Sequence, residues 1–96
     1  MYTHAEWIEF DPEKARRNFI KHGVSFGDAE MALRDSRALT LEDSDALHEL
    51  GLVTIGLDAL GRVLVVIHAP RGDRTRIISA RRASRRETET YHAKGI

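Results

Sequence analysis

Residues 62–81, RVLVVIHAPRGDRTRIISAR, decide the fold, because two strand-like runs flank a short turn within them. Residues 62–69 form the most apolar stretch of the chain, which predicts a buried central strand. Pro70-Arg71-Gly72-Asp73 has the proline and glycine of a tight turn, and residues 74–81 follow as a second strand. Because a short turn joins the two strands, they are expected to pair antiparallel.

Three further segments have strand character. Residues 4–10 contain Ile8 and Phe10 on one face and Trp7 on the other. Residues 38–42 alternate apolar and polar side chains, and residues 52–57 form a third apolar run just before the central strand. Short connections between successive strands favour an antiparallel meander.

Three helix starts are visible in the sequence. Asp11-Pro12-Glu13 combines an N-cap residue with proline at the first helical position, and this helix is expected to stop at Gly23. Ser25, with an acidic residue three positions later, opens a second helix. Ser84 and Glu87 form a capping box that opens the last helix.

These elements follow the order β-α-α-β-β-β-β-α, with one strand fewer if residues 38–42 are irregular. Helices gathered at one end and strands at the other predict an α+β fold with an antiparallel sheet. A chain of 96 residues suffices for one hydrophobic core, so we expect a single domain over residues 1–96.

Composition excludes several classes of protein. The chain has no cysteine, and no apolar run approaches the roughly 20 residues that span a bilayer. The N-terminus shows no signal peptide, so we expect a cytoplasmic protein with no membrane segment. The five histidines lack metal-ligand spacing, and no phosphate loop or dinucleotide fingerprint occurs, so we expect no metal and no cofactor.

A net charge of zero conceals a strong asymmetry along the chain. Residues 1–60 carry 6 basic and 12 acidic side chains, a net −6, and residues 61–96 carry 9 and 3, a net +6. Arginine binds phosphate bidentately and stacks on bases, so the C-terminal third is a candidate surface for a polyanion. The alternative is that these arginines solubilise the sheet and pair with the acidic half.

The first helix carries a second candidate surface. Its polar residues at spacings of three and four share one face, which is either a cationic ridge beside RNA or an ordinary solvated face: Lys14, Arg17, Asn18 and Lys21. His22 follows at the C-terminal end, where the helix dipole favours a protonated imidazole, although capping of the last carbonyls is the common role of such residues.

The second strand run carries most of the remaining candidates. Arg71 lies in the predicted turn, beside His68 at the end of the central strand. Regular alternation would place Arg76 and Arg82 on one face of their strand and Arg81 on the other, unless the strand is irregular at its end.

Taken together, the chain resembles the BrnT family of bacterial toxins over nearly its whole length. The ordered segments that carry the resemblance are residues 10–15 (FDPEKA) with Asn18 and 21–26 (KHGVSF), residues 54–57 with 62–66, and residues 74–83 (RTRIISARRA) followed by Glu87 and Tyr91. The chain departs from the family at Phe10, where many relatives have tryptophan, and at Gly51, where an arginine is frequent.

The resemblance implies a RelE-like fold and a ribonuclease toxin of a type II toxin–antitoxin system that stops translation by cleaving RNA without a metal. It also implies a BrnA-like antitoxin with a ribbon-helix-helix DNA-binding domain. Carried over residue by residue, it marks as functional Lys21, Arg71 and Arg81, and in second rank His22, Arg76 and Tyr91.

In RelE-type cleavage the substrate's own 2′-hydroxyl attacks the adjacent phosphate. Arg71 and Arg81 suit stabilisation of the phosphate charge, and either Lys21 or His22 suits the role of base. Contacts to the rest of the RNA are expected from Lys14, Arg76, Arg82 and Tyr91. The alternatives are a non-catalytic RNA-binding or translation-regulating module and a protein that only docks an acidic partner.

Overall fold

The secondary structure confirms the predicted α+β class and the order of elements. The computed structural model describes residues 3–4, 7–43 and 51–94. Its elements are β1 (Thr3–His4), β2 (Ile8–Phe10), α1 (Pro12–His22), α2 (Phe26–Leu33), β3 (Leu39–Asp43), β4 (Gly51–Leu57), β5 (Val63–Arg71), β6 (Arg74–Arg82) and α3 (Arg85–Lys94). The predicted first strand, residues 4–10, is divided into β1 and β2, which pair antiparallel.

The strands form one mixed sheet in the order β1-β2-β6-β5-β4-β3. Strands β3 to β6 are consecutive antiparallel neighbours, as predicted. Strand β2 instead runs parallel to β6, with Ile8 opposite Thr75 and Glu9 opposite Arg76. The short turns predicted a purely antiparallel sheet, and this prediction is wrong for the β2–β6 pair. The two helices that follow β2 carry the chain to the far side of the sheet, so β2 meets β6 without a hairpin.

The β5–β6 hairpin is longer and less regular than the sequence indicated. Pro70 and Arg71 belong to β5, and the turn is reduced to Gly72 and Asp73, with Gly72 in the left-handed region at φ 61°. Near the middle of β6, Ile78 has no partner, because Ile67 pairs with Ser79 and His68 pairs with Ile77. This extra residue is a β-bulge, and it shifts the alternation of side chains along β6.

The main core lies between the sheet and the pair of helices α1 and α2. Its buried members are Ile8, Val24, Phe26, Ala29, Ala32, Leu64, Val66, Ile77 and Ala80. Helix α2 approaches β4 closely at Gly56, where an added Cβ would lie 2.3 Å from the carbonyl oxygen of Ala32. Phe10 packs edge-to-face on Phe26 at a centroid distance of 5.5 Å, so it serves the core.

Helix α3 covers part of the opposite face of the sheet. A second, smaller cluster there joins Tyr91 of α3 to Ile55 and Val65, with Val53, Val63 and Ala83 packed around them. The pair α1 and α2 and the single helix α3 therefore pack on opposite faces of the sheet.

The helix termini confirm the capping predictions. The carboxylate of Asp11 accepts the N–H of Glu13, and the hydroxyl of Ser25 accepts the N–H of Asp28. Gly23, at φ 71°, ends α1 in the left-handed conformation expected of a C-terminal glycine. In the parts of the chain that the structure describes, no helix is both long enough and apolar enough to cross a membrane.

Candidate functional site

A cationic groove lies where α1 crosses the edge of β6. We call it the α1 groove; its volume is about 210 Å³, and it is lined by Lys14, Arg17, Asn18, Lys21, His22, Ile78 and Ser79. Spacings of three and four place the α1 members on one side of the helix. The structure thus keeps together the α1 residues that the sequence placed on one face, Lys14, Arg17 and Lys21, and brings His22 into the same groove.

The position of α1 over β6 is fixed by Asn18. This side chain is buried, and its amide group donates to the carbonyl oxygens of Val24 at 3.0 Å and Ala80 at 2.8 Å. Its Oδ1 accepts the N–H of Ala80 at 3.0 Å. The side chain therefore pairs with both backbone groups of Ala80, beyond the point where β2 pairs with β6. Asn18 was expected on the cationic face, but it serves as the anchor beneath that face.

Arg71 and Arg81 occupy distant parts of the β5–β6 hairpin. Arg71 is exposed beside the turn and pairs in register with Arg74, whereas Arg81 pairs with Val65. Their positions on β5, Arg71 itself and Val65 opposite Arg81, are separated by about 20 Å at roughly 3.3 Å per residue. The structure therefore places Arg71 and Arg81, which the sequence assigned to the same role, near opposite ends of the hairpin.

The β-bulge also corrects the predicted arrangement of arginines on β6. Ile77 and Ala80 both belong to the core under α1 and α2, although three positions separate them. Their neighbours Arg76 and Arg81 therefore share the opposite face of the sheet, and Arg82 is on the other side from Arg81. Regular alternation predicted Arg76 and Arg82 on one face and Arg81 on the other, and the bulge makes this prediction wrong.

Arg76 and Arg81 both form close ion pairs. Arg76 donates to the carboxylate of Glu9 through Nε at 2.9 Å. Arg81 makes a bidentate pair with Glu87, at 2.8 Å and 2.9 Å, and Glu87 also accepts the N–H of Ser84. The hydrogen bond from Arg81, assisted by the N–H of Ser84, lowers the pKa of Glu87 to about 2. Arg81 thereby fastens the start of α3 to β6.

Tyr91 fastens the other end of α3. Its ring is buried against the sheet, and its hydroxyl donates to Oδ2 of Asp35 at 2.5 Å. Burial and this hydrogen bond raise the pKa of Tyr91 to about 12. Burial alone would raise the pKa of Asp35, but donors from Tyr91 and from the backbone of Arg37 and Leu57 lower it. This placement gives Tyr91 a packing role between α3 and the sheet.

A second cavity, of about 290 Å³, lies between α3 and the β4–β5 turn. We call it the α3 cavity; its lining is Leu57, Gly61, Arg62, Val63, Arg82, Ala83, Thr88 and His92. It takes in Arg82, which the sequence marked, together with Thr88 and His92, which it did not. Only tertiary packing brings these residues together, so no sequence spacing could have revealed the cavity. Arg17, in contrast, was visible from its helical spacing to Lys14 and Lys21.

His68 is buried on β5 and belongs to neither cavity. Its Nε2 lies 2.7 Å from the hydroxyl of Thr54, which in turn lies 2.8 Å from the hydroxyl of Thr40. Burial lowers the pKa of His68. Within the described residues, no group of three His, Cys, Asp or Glu side chains is placed to hold a metal ion.

Together these features define a class of small α+β domains in which one helix and the edge of a mixed sheet form a cationic groove. Comparison with known proteins identifies the family within that class. The family described as "Ribonuclease toxin, BrnT, of type II toxin-antitoxin system" matches residues 10–87, and this chain belongs to it.

A solved structure supports the same assignment. The fold is similar to the crystal structure of the ribonuclease toxin BrnT of Brucella abortus, with a TM-score of 0.63 and 29% sequence identity. The similarity covers 79% of this chain and 94% of that one. No curated protein sequence matches the chain. The family is one of ribonuclease toxins with RNA as target and an antitoxin as partner, which confirms the toxin predicted from the sequence.

Proposed function

We propose that this protein is a metal-independent endoribonuclease and that the α1 groove holds the phosphate that is cleaved. The observation that carries the proposal is the convergence of Lys14, Arg17, Lys21 and His22 on one groove. Three cationic side chains there suit the charge of successive phosphates, and an imidazole lies beside them.

The groove residues can carry out cleavage by the 2′-hydroxyl of the substrate. His22 accepts the proton of that hydroxyl, and the oxygen attacks the adjacent phosphorus as the bond to the 5′-oxygen breaks. The 5′-oxygen leaves with a proton from a second acid, for which Lys21 is the nearest candidate along α1. The products are a 2′,3′-cyclic phosphate and a 5′-hydroxyl end. Lys14 and Arg17 stabilise the negative charge that develops on the phosphate, which is the part a metal ion plays in other nucleases.

A cleavage assay with purified protein tests both parts of the proposal. End-labelled RNA is incubated in excess EDTA, and the product ends are mapped. Activity that persists and leaves cyclic phosphate ends supports the proposal. Activity that is lost and returns with magnesium, or 3′-hydroxyl products, contradicts the metal-free mechanism. RNA that is bound and never cut identifies the non-catalytic module instead.

Two arginines on α1 give a matched pair of variants for the site itself. Arg17 lines the groove, whereas Arg16 does not, and both pair with Glu13 on the exposed helix surface. We expect Arg17→Gln to weaken RNA binding and to flatten its salt dependence by about 0.7 to 0.9 of a log unit per log unit of salt. Arg16→Gln should leave both close to wild type. We expect His22→Gln to reduce cleavage by about 10²-fold or more while RNA still binds. Equal effects of the two arginine variants would place the RNA elsewhere.

The remaining functional predictions concern the partner and the compartment. We propose a BrnA-like antitoxin with a ribbon-helix-helix domain that covers the α1 groove, and a cytoplasmic site of action, where translated RNA is found. Co-expression with the product of the neighbouring gene tests this: the two should co-purify, and the complex should not cleave RNA. Arg71, exposed at the tip of the hairpin, is proposed as an outlying phosphate contact.

A further inference from the structure

We propose that the α3 cavity binds one nucleotide of the RNA beside the phosphate cleaved in the α1 groove. The inference rests on the proposed function, since it takes RNA as the ligand. Arg81 and Tyr91 give α3 a structural role, because they attach the helix to the rest of the fold. The inference adds a second role for α3, in the recognition of RNA. The ligand class is a nucleotide, recognised by an apolar wall for the base and a cationic side for the phosphate.

The walls of the cavity carry the two kinds of surface that a nucleotide needs. Leu57 and Val63 are opposite one another on β4 and β5, and with Ala83 they form an apolar wall. Arg82, Thr88 and His92 supply the polar side, and both Arg82 and His92 are exposed. Single-stranded RNA is generally bound by ring side chains that stack on bases and by cations that contact the backbone, and among the lining residues His92 supplies a ring and Arg82 a cation.

The floor of the cavity is held in place by hydrogen bonds. Arg62 donates to Asp58 through Nε and to Asp28 through Nη2, each at 2.8 Å. Asp58 is almost fully buried, and it also accepts the backbone N–H of Arg62 at 2.8 Å. The N–H of Ala83 donates to the carbonyl of Val63 at 2.9 Å. A site formed before the ligand arrives loses less entropy on binding.

The cavity can contact an anion through Arg82. Asp28 and Asp58 both pair with Arg62 and offset its charge, so Arg82 is the cation of the lining that is left to meet a phosphate. None of the described residues that line the cavity is acidic. The volume, about 290 Å³, is near the lower end of the roughly 300–1,000 Å³ typical of small-molecule pockets, which suits one nucleotide rather than a longer segment.

Arg62 also connects the cavity to the proposed site of cleavage. Its Nη1 reaches the carbonyl of Gly23 at 3.4 Å, and Gly23 directly follows His22 of the α1 groove. The β4–β5 turn and the C-terminal end of α1 therefore meet at one end of the sheet. An RNA chain leaving the groove past His22 arrives at Arg62 and then at the α3 cavity.

Titration of the full-length protein with small probes tests the inference without any need for cleavage. Adenosine 5′-monophosphate, inorganic phosphate and adenosine are each added while backbone amide resonances are recorded. We expect adenosine 5′-monophosphate to shift the amide resonances of Gly61, Val63, Ala83 and Thr88 in a saturable way. These shifts should be larger than those caused by inorganic phosphate or by adenosine. Equal binding of inorganic phosphate would overturn the nucleotide assignment, and so would an absence of shifts at these amides.

Two variants and a matched control complete the test. We expect Arg82→Gln and Thr88→Val each to weaken nucleotide binding, by about tenfold for the loss of the charged hydrogen bond from Arg82. Arg86→Gln changes an arginine on the same helix outside the cavity lining and should bind as wild type does. If wild type cleaves RNA but the probes leave the cavity amides unmoved, this inference fails alone. If the probes bind and no RNA is cleaved, the proposed function fails and the site remains.

Discussion

The anchor of α1 on β6 gives the sharpest prediction, because one side chain makes three buried hydrogen bonds. Replacing Asn18 by alanine removes both donors and the acceptor and leaves the N–H and C=O of Ala80 without that partner. At about 1 kcal/mol for each bond, the loss is about 3 kcal/mol. The better helix propensity of alanine returns about 0.6 kcal/mol, so we expect a net destabilisation of about 2–3 kcal/mol.

Thermal and urea unfolding followed by circular dichroism measure this loss. For a domain of this size the expected fall in Tm is on the order of 10–20 °C. Arg16→Ala is the control, because this side chain is on the same helix, exposed, and should shift unfolding by no more than about 0.5 kcal/mol. Asn18→Asp keeps the acceptor for Ala80 but faces two carbonyl oxygens with a carboxylate, so it should be destabilised too and should recover in part when acidified. If Asn18→Ala unfolds at the same temperature and urea concentration as the wild type, Asn18 is not the anchor of α1.

Three further predictions concern titratable and buried polar groups. The pKa of Glu87 is about 2 in the folded state, below its unfolded value, so its ion pair with Arg81 stabilises the fold above about pH 4.5. This stabilisation is lost as the pH falls toward 2. The free energy of unfolding of Glu87→Gln should therefore depend less on pH in that window. Tyr91→Phe removes the hydrogen bond to Asp35 and should cost about 1–3 kcal/mol in urea unfolding, with no effect expected if α3 is held by its apolar contacts alone. Burial lowers the pKa of His68, so the wild type should lose stability as pH falls below about 6.5, whereas His68→Gln should not show this loss over the same range.

Much of the fold could be predicted from the sequence because its signals are local. Proline and aspartate at the start of α1, glycine at its end and the capping box of α3 each act within a few residues. The apolar run that became β5 was recognised for the same reason. The parallel pairing of β2 with β6 could not be predicted, since it depends on where two helices deliver the chain. The bulge at Ile78 was also out of reach, because it is defined by pairing with β5.

The sequence could group the residues of the α1 groove only because most of them lie on one helix. Lys14, Lys21 and His22 meet because helical spacing places them together. Asn18 has the same helical spacing, yet its side chain points inward and hydrogen-bonds to Ala80. This orientation depends on the position of β6, which the sequence of α1 does not reveal. Tyr91 was predicted to contact RNA, but its ring is buried against Ile55 and Val65, and its hydroxyl bonds to Asp35, 56 positions earlier in the chain.

The charge asymmetry of the sequence takes on a different meaning once the chain is folded. The arginine-rich C-terminal third pairs extensively with carboxylates: Arg62 with Asp28 and Asp58, Arg76 with Glu9, and Arg81 with Glu87. Several of those carboxylates come from the acidic first 60 residues, so the two halves neutralise one another across the sheet. The α1 groove draws its cations instead from the acidic half, because α1 presents them along the edge of β6. Local geometry at that edge, rather than the overall count of arginines, therefore determines where the cations of the proposed site lie.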